Sequence, residues 1–328
     1  MRFTPFVSRS IQYFDIEHPI HQLPLEVRSL ILRYCDMPTL LGLCHDKNWR
    51  DSTLQEVAAS FRLLLATFTP DPAAFRHMMR RTNTIISGST ALYFLLRSPC
   101  TWTPGDTDIL VSPAHFDTAL EFIMALPGAT ITHDSHNAPP ETYEAIRPNF
   151  QRLVKVTTLM AKFDVMMSRE ASPYHSVAHY WTTLVMNALT ADFFVCAYPS
   201  LTFSHRGAMK SRHVLPAPFE KYTNRGFQFF TPGGPPTKPD QSCARLIACS
   251  RRQRYFGDDN CLVFPIIDDS VSPADDDTET LESSITTAWQ LGGKPCGNTA
   301  CFIPTPRVAL TMTVNGGWQA GLQAVQDQ

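Results

Sequence analysis

Two short runs of residues carry the types and spacing that phosphoryl chemistry needs. Ser87-Gly88-Ser89 forms a glycine-serine turn ahead of an apolar run, and Asp106 and Asp108 follow with one residue between them. Because side chains at positions i and i+2 of a strand share a face, both carboxylates are expected to point the same way. Two carboxylates held side by side repel each other unless a cation lies between them. The pattern therefore predicts a divalent-metal site beside a phosphate-binding turn, which suits nucleotidyl or phosphoryl transfer.

Strands and helices must position these residues, and the hydrophobic pattern predicts both. Four stretches have the apolar, bounded character of strands: 84–86, 108–111, 153–159 and 162–167, with a fifth at 193–197. Helices are predicted at 89–97, from Ser112-Pro113 to Leu126, and at 177–191, while the polar residues 130–150 are predicted to be a loop. The alternation indicates an α/β (α+β) fold with a small mixed sheet and flanking helices.

The middle of the chain, roughly 85–205, resembles the nucleotidyltransferase superfamily that includes polymerase beta. Its pattern is a glycine-serine turn, a helix, two acids one residue apart on a strand, and a third acid on a later strand. Gly88 and Ser89 match the phosphate-binding turn, Asp106 and Asp108 match the metal ligands, and Asp164, within an apolar run, matches the catalytic third acid. The resemblance implies Mg²⁺ as cofactor and a nucleoside triphosphate as substrate.

Two departures from that pattern leave a second interpretation open. Sixteen residues separate Ser89 from Asp106, so the insert 97–105 must loop out, and Thr107 is polar between the two acids. In the alternative, Asp106 and Asp108 are turn and cap residues and Asp164 pairs with a lysine such as Lys155 or Lys162. Since the superfamily also contains inactive members, the sequence does not decide whether the chain is an enzyme.

Residues 21–81 are predicted to form a compact set of helices, and the part 23–50 resembles an F-box. The matching run is L-P-L-E-V-R-S-L-I-L-R-Y, then D-M-P-T-L-L-G-L-C, then N-W-R. An F-box docks on the Skp-type adaptor of a cullin–RING ubiquitin ligase, and the resemblance implies that the docking residues are Leu23, Pro24, Ile31, Leu40, Leu41 and Trp49. The alternative is a helical cap packed on the α/β domain. The order of the two segments resembles a group of uncharacterised fungal proteins.

The charge of the chain is close to balanced, which gives no overall signal for nucleic acid. There are 28 basic and 30 acidic residues. The acids concentrate at 268–282, where a flexible loop is expected. A basic stretch could form a phosphate- or nucleic-acid-facing rim or a solvated face, and comprises His205, Arg206, Lys210, Arg212, His213, Lys221 and Arg225. Nucleic acid as a partner therefore stays open.

The remaining features concern boundaries and compartment. The predicted segments are a flexible tail at 1–20, the F-box-like helices at 21–81, the nucleotidyltransferase-like domain at 82–230, and a Pro/Gly linker with a loosely organised C-terminal region at 231–328. No long apolar run suggests a membrane span, and no secretory signal is expected at the start. Nine scattered cysteines favour free thiols in the cytoplasm or nucleus.

Overall fold

The computed structural model describes residues 23–97, 100–137, 150–210, 216–231, 253–267, 287–291, 308–312 and 318–322. The predicted tail at 1–20, the Pro/Gly run at 232–236 and the acidic loop at 268–282 lie outside these ranges. No helix among the described residues is both long enough and apolar enough to cross a membrane.

Four helices form the N-terminal part of the described chain: α1 (Leu25–Arg33), α2 (Met37–Leu43), α3 (Arg50–Leu65) and α4 (Pro72–Arg81). Two of them begin where an aspartate precedes a proline-containing first turn. The Asp36 side chain accepts a hydrogen bond from the backbone N–H of Thr39 at 2.8 Å, and Asp71 accepts one from Ala74 at 2.9 Å. These caps satisfy N–H groups that have no partner inside the helix.

Five further α-helices follow among the described residues: α5 (Gly88–Leu96), α6 (Phe116–Met124), α7 (Tyr174–Ala178), α8 (Pro199–Thr202) and α9 (Pro216–Thr223). The strands are β1 (Ile85–Ser87), β2 (Thr107–Val111), β3 (Thr130–Asp134), β4 (Phe150–Thr157), β5 (Lys162–Ser168), β6 (Asn187–Leu189), β7 (Phe193–Cys196), β8 (Arg206–Ala208), β9 (Gln228–Phe230), β10 (Arg254–Tyr255), β11 (Leu262–Pro265), β12 (Ala288–Trp289), β13 (Val308–Met312) and β14 (Trp318–Leu322).

Eight of these strands form one mixed sheet, in the order β11-β7-β6-β1-β2-β5-β4-β3. Within it β2 and β5 run parallel, and the other neighbouring pairs are antiparallel. The predicted α/β class with a mixed sheet is confirmed, although the sheet is larger than expected. β11 pairs with β7, so the sheet extends beyond the predicted domain boundary at residue 230.

Successive residues of a strand point to opposite faces of the sheet. In the central strands both faces are buried, each in its own core. On one face Ile109 and Val165 belong to a core that includes Phe61 and Phe75 of the N-terminal helices. On the other face Leu110 and Met166 pack in a second core, which includes Tyr174, Tyr198, Phe256 and Trp289. Residues 253–267 and 287–291 therefore contribute to the fold where the sequence predicts a loosely organised region.

Two stretches differ from their predicted secondary structure. Residues 130–134, expected in a loop, form the edge strand β3, paired with β4. Residues 177–191, expected as one helix, divide between the end of α7, a short 3₁₀ turn and the buried strand β6. A short apolar run does not distinguish a buried helix from a buried strand, because neither has a polar face.

The F-box-like helices are packed onto the rest of the chain. Leu32, Leu40 and Trp49 are buried in the same core as the sheet residues Ile109 and Val165. Leu40 and Trp49, which the resemblance assigns to partner docking, are 0% and 3% exposed, because they belong to the core that includes Phe61 of α3. Their place here is inside the chain, as the helical-cap alternative expects.

Candidate functional site

A row of polar residues crosses adjacent strands at the same level of the sheet. Ser87 of β1 lies opposite Asp108 of β2, and Asp108 lies opposite Asp164 of β5. On the far side of Asp164, the register places Lys155 of β4 directly opposite. Asp108 and Asp164 share a face because their strands are parallel neighbours in register. The fold thus brings together two acids that are 56 positions apart in the sequence.

Gly88 joins this row through a backbone conformation that few other residues adopt. It follows β1 directly and begins α5 with a φ of +61°. A Cβ atom built on Gly88 would lie 1.8 Å from Oδ2 of Asp108, so the turn backbone rests against the carboxylate. Glycine is required here for two reasons, the left-handed φ and the space taken by Asp108.

The Ser89 side chain points into the protein and is 1% exposed. Burial raises the pKa of the Tyr222 phenol, and the nearby Ser89 hydroxyl lowers it in part. The Ser89 hydroxyl is therefore buried in the protein and does not face solvent. Its contribution to a bound phosphate would come from its backbone N–H at the start of α5, where the N–H groups of a helix favour an anion.

Asp106 lies one residue before β2, at the edge of the sheet. The Thr90 hydroxyl of α5 donates a hydrogen bond to its backbone carbonyl at 3.0 Å, which ties the approach of β2 to the helix. Its carboxylate is 3.7 Å from Nζ of Lys221 on α9. The charge of the Asp106 carboxylate contributes to raising the pKa of Asp108.

Asp164 is paired with Lys155, whose Nζ donates a hydrogen bond to its Oδ2 at 2.7 Å. This is the ion pair that the alternative interpretation expects. Among the described residues, no group of three or more His, Cys, Asp or Glu side chains converges closely enough to hold a metal. The donors still suit Mg²⁺, since this ion prefers carboxylate oxygens and is commonly held by one or two carboxylates together with substrate phosphates.

Asp108 is the electrostatic centre of the site. Burial, together with repulsion from the Asp106 and Asp164 carboxylates, raises the pKa of its carboxyl to about 7, and the Lys221 and Lys155 cations oppose this rise. An ionised Asp108 therefore costs free energy in the folded protein. A dication beside it would remove that cost, which is the electrostatic behaviour expected of a metal ligand.

Replacing Asp108 with asparagine should therefore change how stability depends on pH. The wild-type carboxyl is largely neutral in both states at pH 3, and it ionises in the unfolded chain first as the pH rises. Folding is consequently weakened progressively as the pH rises to about 7, and remains so above. Without divalent metal, we expect Asp108→Asn to be more stable than wild type by roughly 4 kcal/mol at pH 8 and about equal to it at pH 3. Urea denaturation at both pH values measures this, and an equal difference at both would contradict it.

A cleft of about 590 Å³ opens beside the carboxylates of Asp106 and Asp164, large enough for a nucleotide-sized ligand. Four cations and two acids contribute to its walls, and the full lining is Thr103, Gly105, Asp106, Thr132, Lys155, Val156, Thr157, Lys162, Asp164, Lys221 and Arg225. Lys221 and Arg225 belong to the basic stretch that the sequence identifies as a candidate phosphate-facing rim.

Arg225 is held in place by aromatic rings. Its guanidinium carbon lies 4.0 Å from the ring centre of Trp102 and 5.2 Å from that of Tyr222. Its Nη1 is buried and makes no hydrogen bond within the described part of the chain. Trp102 comes from the insert 97–105, so the looped-out segment supports a cation of the cleft.

The acids and the turn are predicted from the sequence, but part of the cleft is not. Lys155 is predicted only as a partner for Asp164, and no role is predicted for Trp102. A signal for Lys155 exists in the β4–β5 hairpin, because its short connection places Lys155 opposite Asp164. No comparable signal marks Trp102, since its contact with Arg225 joins segments 123 positions apart.

Comparison of the chain with protein-family models, with curated proteins and with solved structures finds no match.

Proposed function

We propose that the chain is a nucleotidyltransferase-like protein that transfers a nucleotidyl group from a nucleoside triphosphate to an acceptor with the help of Mg²⁺. The observation that carries the proposal is the contact between the Gly88 turn and the Asp108 carboxylate. A positive-φ glycine against an acid, at the start of a helix, places backbone N–H groups and a metal ligand side by side. A phosphate that bridges the two is the ligand such a pair would favour.

Each residue of the site then has a role. Asp106 and Asp108 would hold the metal, which supplies charge neutralisation at the phosphates when it is bound. The backbone at Gly88 and Ser89 would bind phosphate oxygens, and Arg225, which lines the cleft, would donate hydrogen bonds to them. Asp164, beside Asp108 in register, would accept the proton of the attacking hydroxyl. The acceptor oxygen would form its bond to the α-phosphorus as the bond to pyrophosphate breaks, and the cations of the cleft would neutralise the departing pyrophosphate.

The test is transfer of label from the four α-labelled nucleoside triphosphates to pools of RNA, protein and small molecules. We expect Mg²⁺-dependent labelling by the wild type and its loss, by at least about 100-fold, in Asp108→Ala. Asp117→Ala is the matched control, because Asp117 is an exposed acid on α6 outside the cleft. Equal labelling by wild type and Asp108→Ala would overturn the assignment.

A second candidate function, as an F-box substrate adaptor, is favoured by the exposed side of α1. Leu25, Leu30 and Tyr34 are 66%, 54% and 85% exposed, although they are large apolar or aromatic side chains. Ile31, near the end of the same helix, and Pro24, just before its first residue, are also exposed. Such an apolar stripe on a helix is the kind of surface that docks in a partner's groove. In this role, the α/β domain would capture the substrate for ubiquitination.

Binding of a purified Skp-type adaptor to the whole chain tests this second candidate. We expect Leu30→Asp/Tyr34→Asp to reduce the binding at least tenfold, because it places charge on the apolar stripe. Leu63→Asp is the matched control, since Leu63 is 62% exposed on α3. An adaptor that binds neither the wild type nor the variants would exclude the adaptor function.

A further inference from the structure

Two lysines on different elements each contact one acid of the site. Lys155 of β4 is 2.7 Å from Asp164, and Lys221 of α9 is 3.7 Å from Asp106. Both lysine side chains line the cleft and are about two-fifths exposed, at 42% and 40%. Each ammonium therefore neutralises a carboxylate while it remains within reach of a ligand in the cleft.

A dication competes with a lysine for the same carboxylate and has twice its charge. When Mg²⁺ binds at Asp106 and Asp108, the ammonium groups beside Asp106 and the neighbouring Asp164 are repelled. The four-carbon stem of lysine is flexible enough to move the ammonium a few ångströms. The cleft supplies the space for this movement, because both lysines open onto it.

We propose that Lys155 and Lys221 exchange partners: they neutralise the acids in the metal-free protein and bind phosphate oxygens of the ligand once metal occupies the acids. The inference rests on the proposed function and specifies how its site selects a ligand. Arg225 does not take part in the exchange, because Trp102 and Tyr222 hold it. It forms a fixed phosphate contact beside two adjustable ones.

The walls of the cleft indicate that the ligand is recognised by its phosphates. Among the described residues that line it, Val156 is the one large apolar side chain and none is aromatic. A base usually stacks on aromatic or apolar side chains, and such a wall is absent from this lining. Inorganic tripolyphosphate, which has the phosphate chain and no base, is therefore a suitable probe.

The exchange predicts that metal and tripolyphosphate strengthen each other's binding. Simple attraction predicts the reverse, since Mg²⁺ reduces the negative charge of tripolyphosphate and thereby its attraction to a cationic cleft. In calorimetric titrations of the full chain, we expect tripolyphosphate to bind at least tenfold more tightly with saturating Mg²⁺ than without it. Equal or weaker binding with Mg²⁺ would overturn the inference.

Lysine variants give a second test, in which two binding affinities are expected to change in opposite directions. We expect Lys155→Met and Lys221→Met each to bind Mg²⁺ alone several-fold more tightly, because the acids lose a competing cation. The same variants should bind Mg²⁺-tripolyphosphate about tenfold more weakly, because the phosphates lose a contact. Lys47→Met, in the exposed turn after α2, is the control and should change neither affinity. Thermal denaturation of each variant checks that it is folded.

The outcomes separate this inference from the proposed function. Variants that weaken Mg²⁺ binding and tripolyphosphate binding together, or change neither, would overturn the exchange. If the wild type then still transfers label and Asp108→Ala does not, the nucleotidyltransferase assignment stands without it. A wild type that binds neither Mg²⁺ nor tripolyphosphate would remove both.

Discussion

Gly88→Ala is expected to destabilise the protein by about 2–4 kcal/mol and to remove metal-dependent nucleotide binding. Alanine would have to adopt the left-handed φ of +61° at this position. Its Cβ atom would also lie 1.8 Å from Oδ2 of Asp108, which is an overlap. Relief of the overlap must move either the turn or the acid, and both belong to the proposed site. Urea denaturation and calorimetric titration with Mg²⁺-nucleotide measure the two effects.

Gly42→Ala is the matched control for this substitution. Gly42 lies within α2, and a Cβ atom there would meet no atom within 4 Å. Alanine should therefore be neutral or stabilise the protein by up to about 1 kcal/mol, as alanine favours a helix over glycine. The combination Gly88→Ala/Asp108→Ala should recover part of the lost stability without recovering binding. If Gly88→Ala bound nucleotide as the wild type does, the close approach of turn and acid would have no functional role.

Arg97→Met is expected to be the most damaging substitution outside the site, with a loss of about 3–5 kcal/mol. Arg97 follows α5 and is buried against Glu56 of α3, with an Nη2 to Oε1 distance of 2.9 Å. The same guanidinium donates hydrogen bonds to the backbone carbonyls of Leu32 and Cys35 at the end of α1. Arg97 therefore links the end of α5 to the helices α1 and α3. Its loss would leave the buried Glu56 charge without this partner.

The double substitution Arg97→Met/Glu56→Met controls for the packing of the two stems. Removal of both charges should recover part of the loss, because no uncompensated carboxylate stays buried. Recovery should be incomplete, since the α1 carbonyls still lack their donor. Equal stability of the wild type and Arg97→Met in urea denaturation would show that apolar packing alone holds the F-box-like helices on the rest of the chain.

The parts of the site that were predictable depend on local rules. The apolar runs around Asp108 and Asp164 predicted their strands, which are neighbours in the sheet. Asp106 lies one residue before β2, where the alternation of a strand does not apply. The glycine-serine turn was predictable because its φ preference and the following helix are encoded within a few residues. The helices α1 to α4 were predictable for the same reason, through their apolar spacing and, in α2 and α4, through their aspartate caps.

The remaining parts depend on contacts between distant segments. Trp102 and Arg225 meet through the packing of an insert against α9, which no sequence pattern specifies. The strand β3 has a largely exposed side and pairs with β4 as an edge, so its own hydrophobic pattern is weak. The burial of Leu40 and Trp49 likewise follows from the packing of the F-box-like helices on the sheet. The F-box pattern implies instead that these two residues lie on a partner-binding surface.

The central claim is that acids and turn together form a site for a metal-bound triphosphate. Calorimetric titration of the whole chain with each nucleoside triphosphate, with and without Mg²⁺, tests it most directly beside the Asp106→Ala/Asp108→Ala variant. We predict Mg²⁺-dependent binding by the wild type and its loss in the variant. Binding that is equal in both proteins, or none in the folded wild type, would contradict the claim.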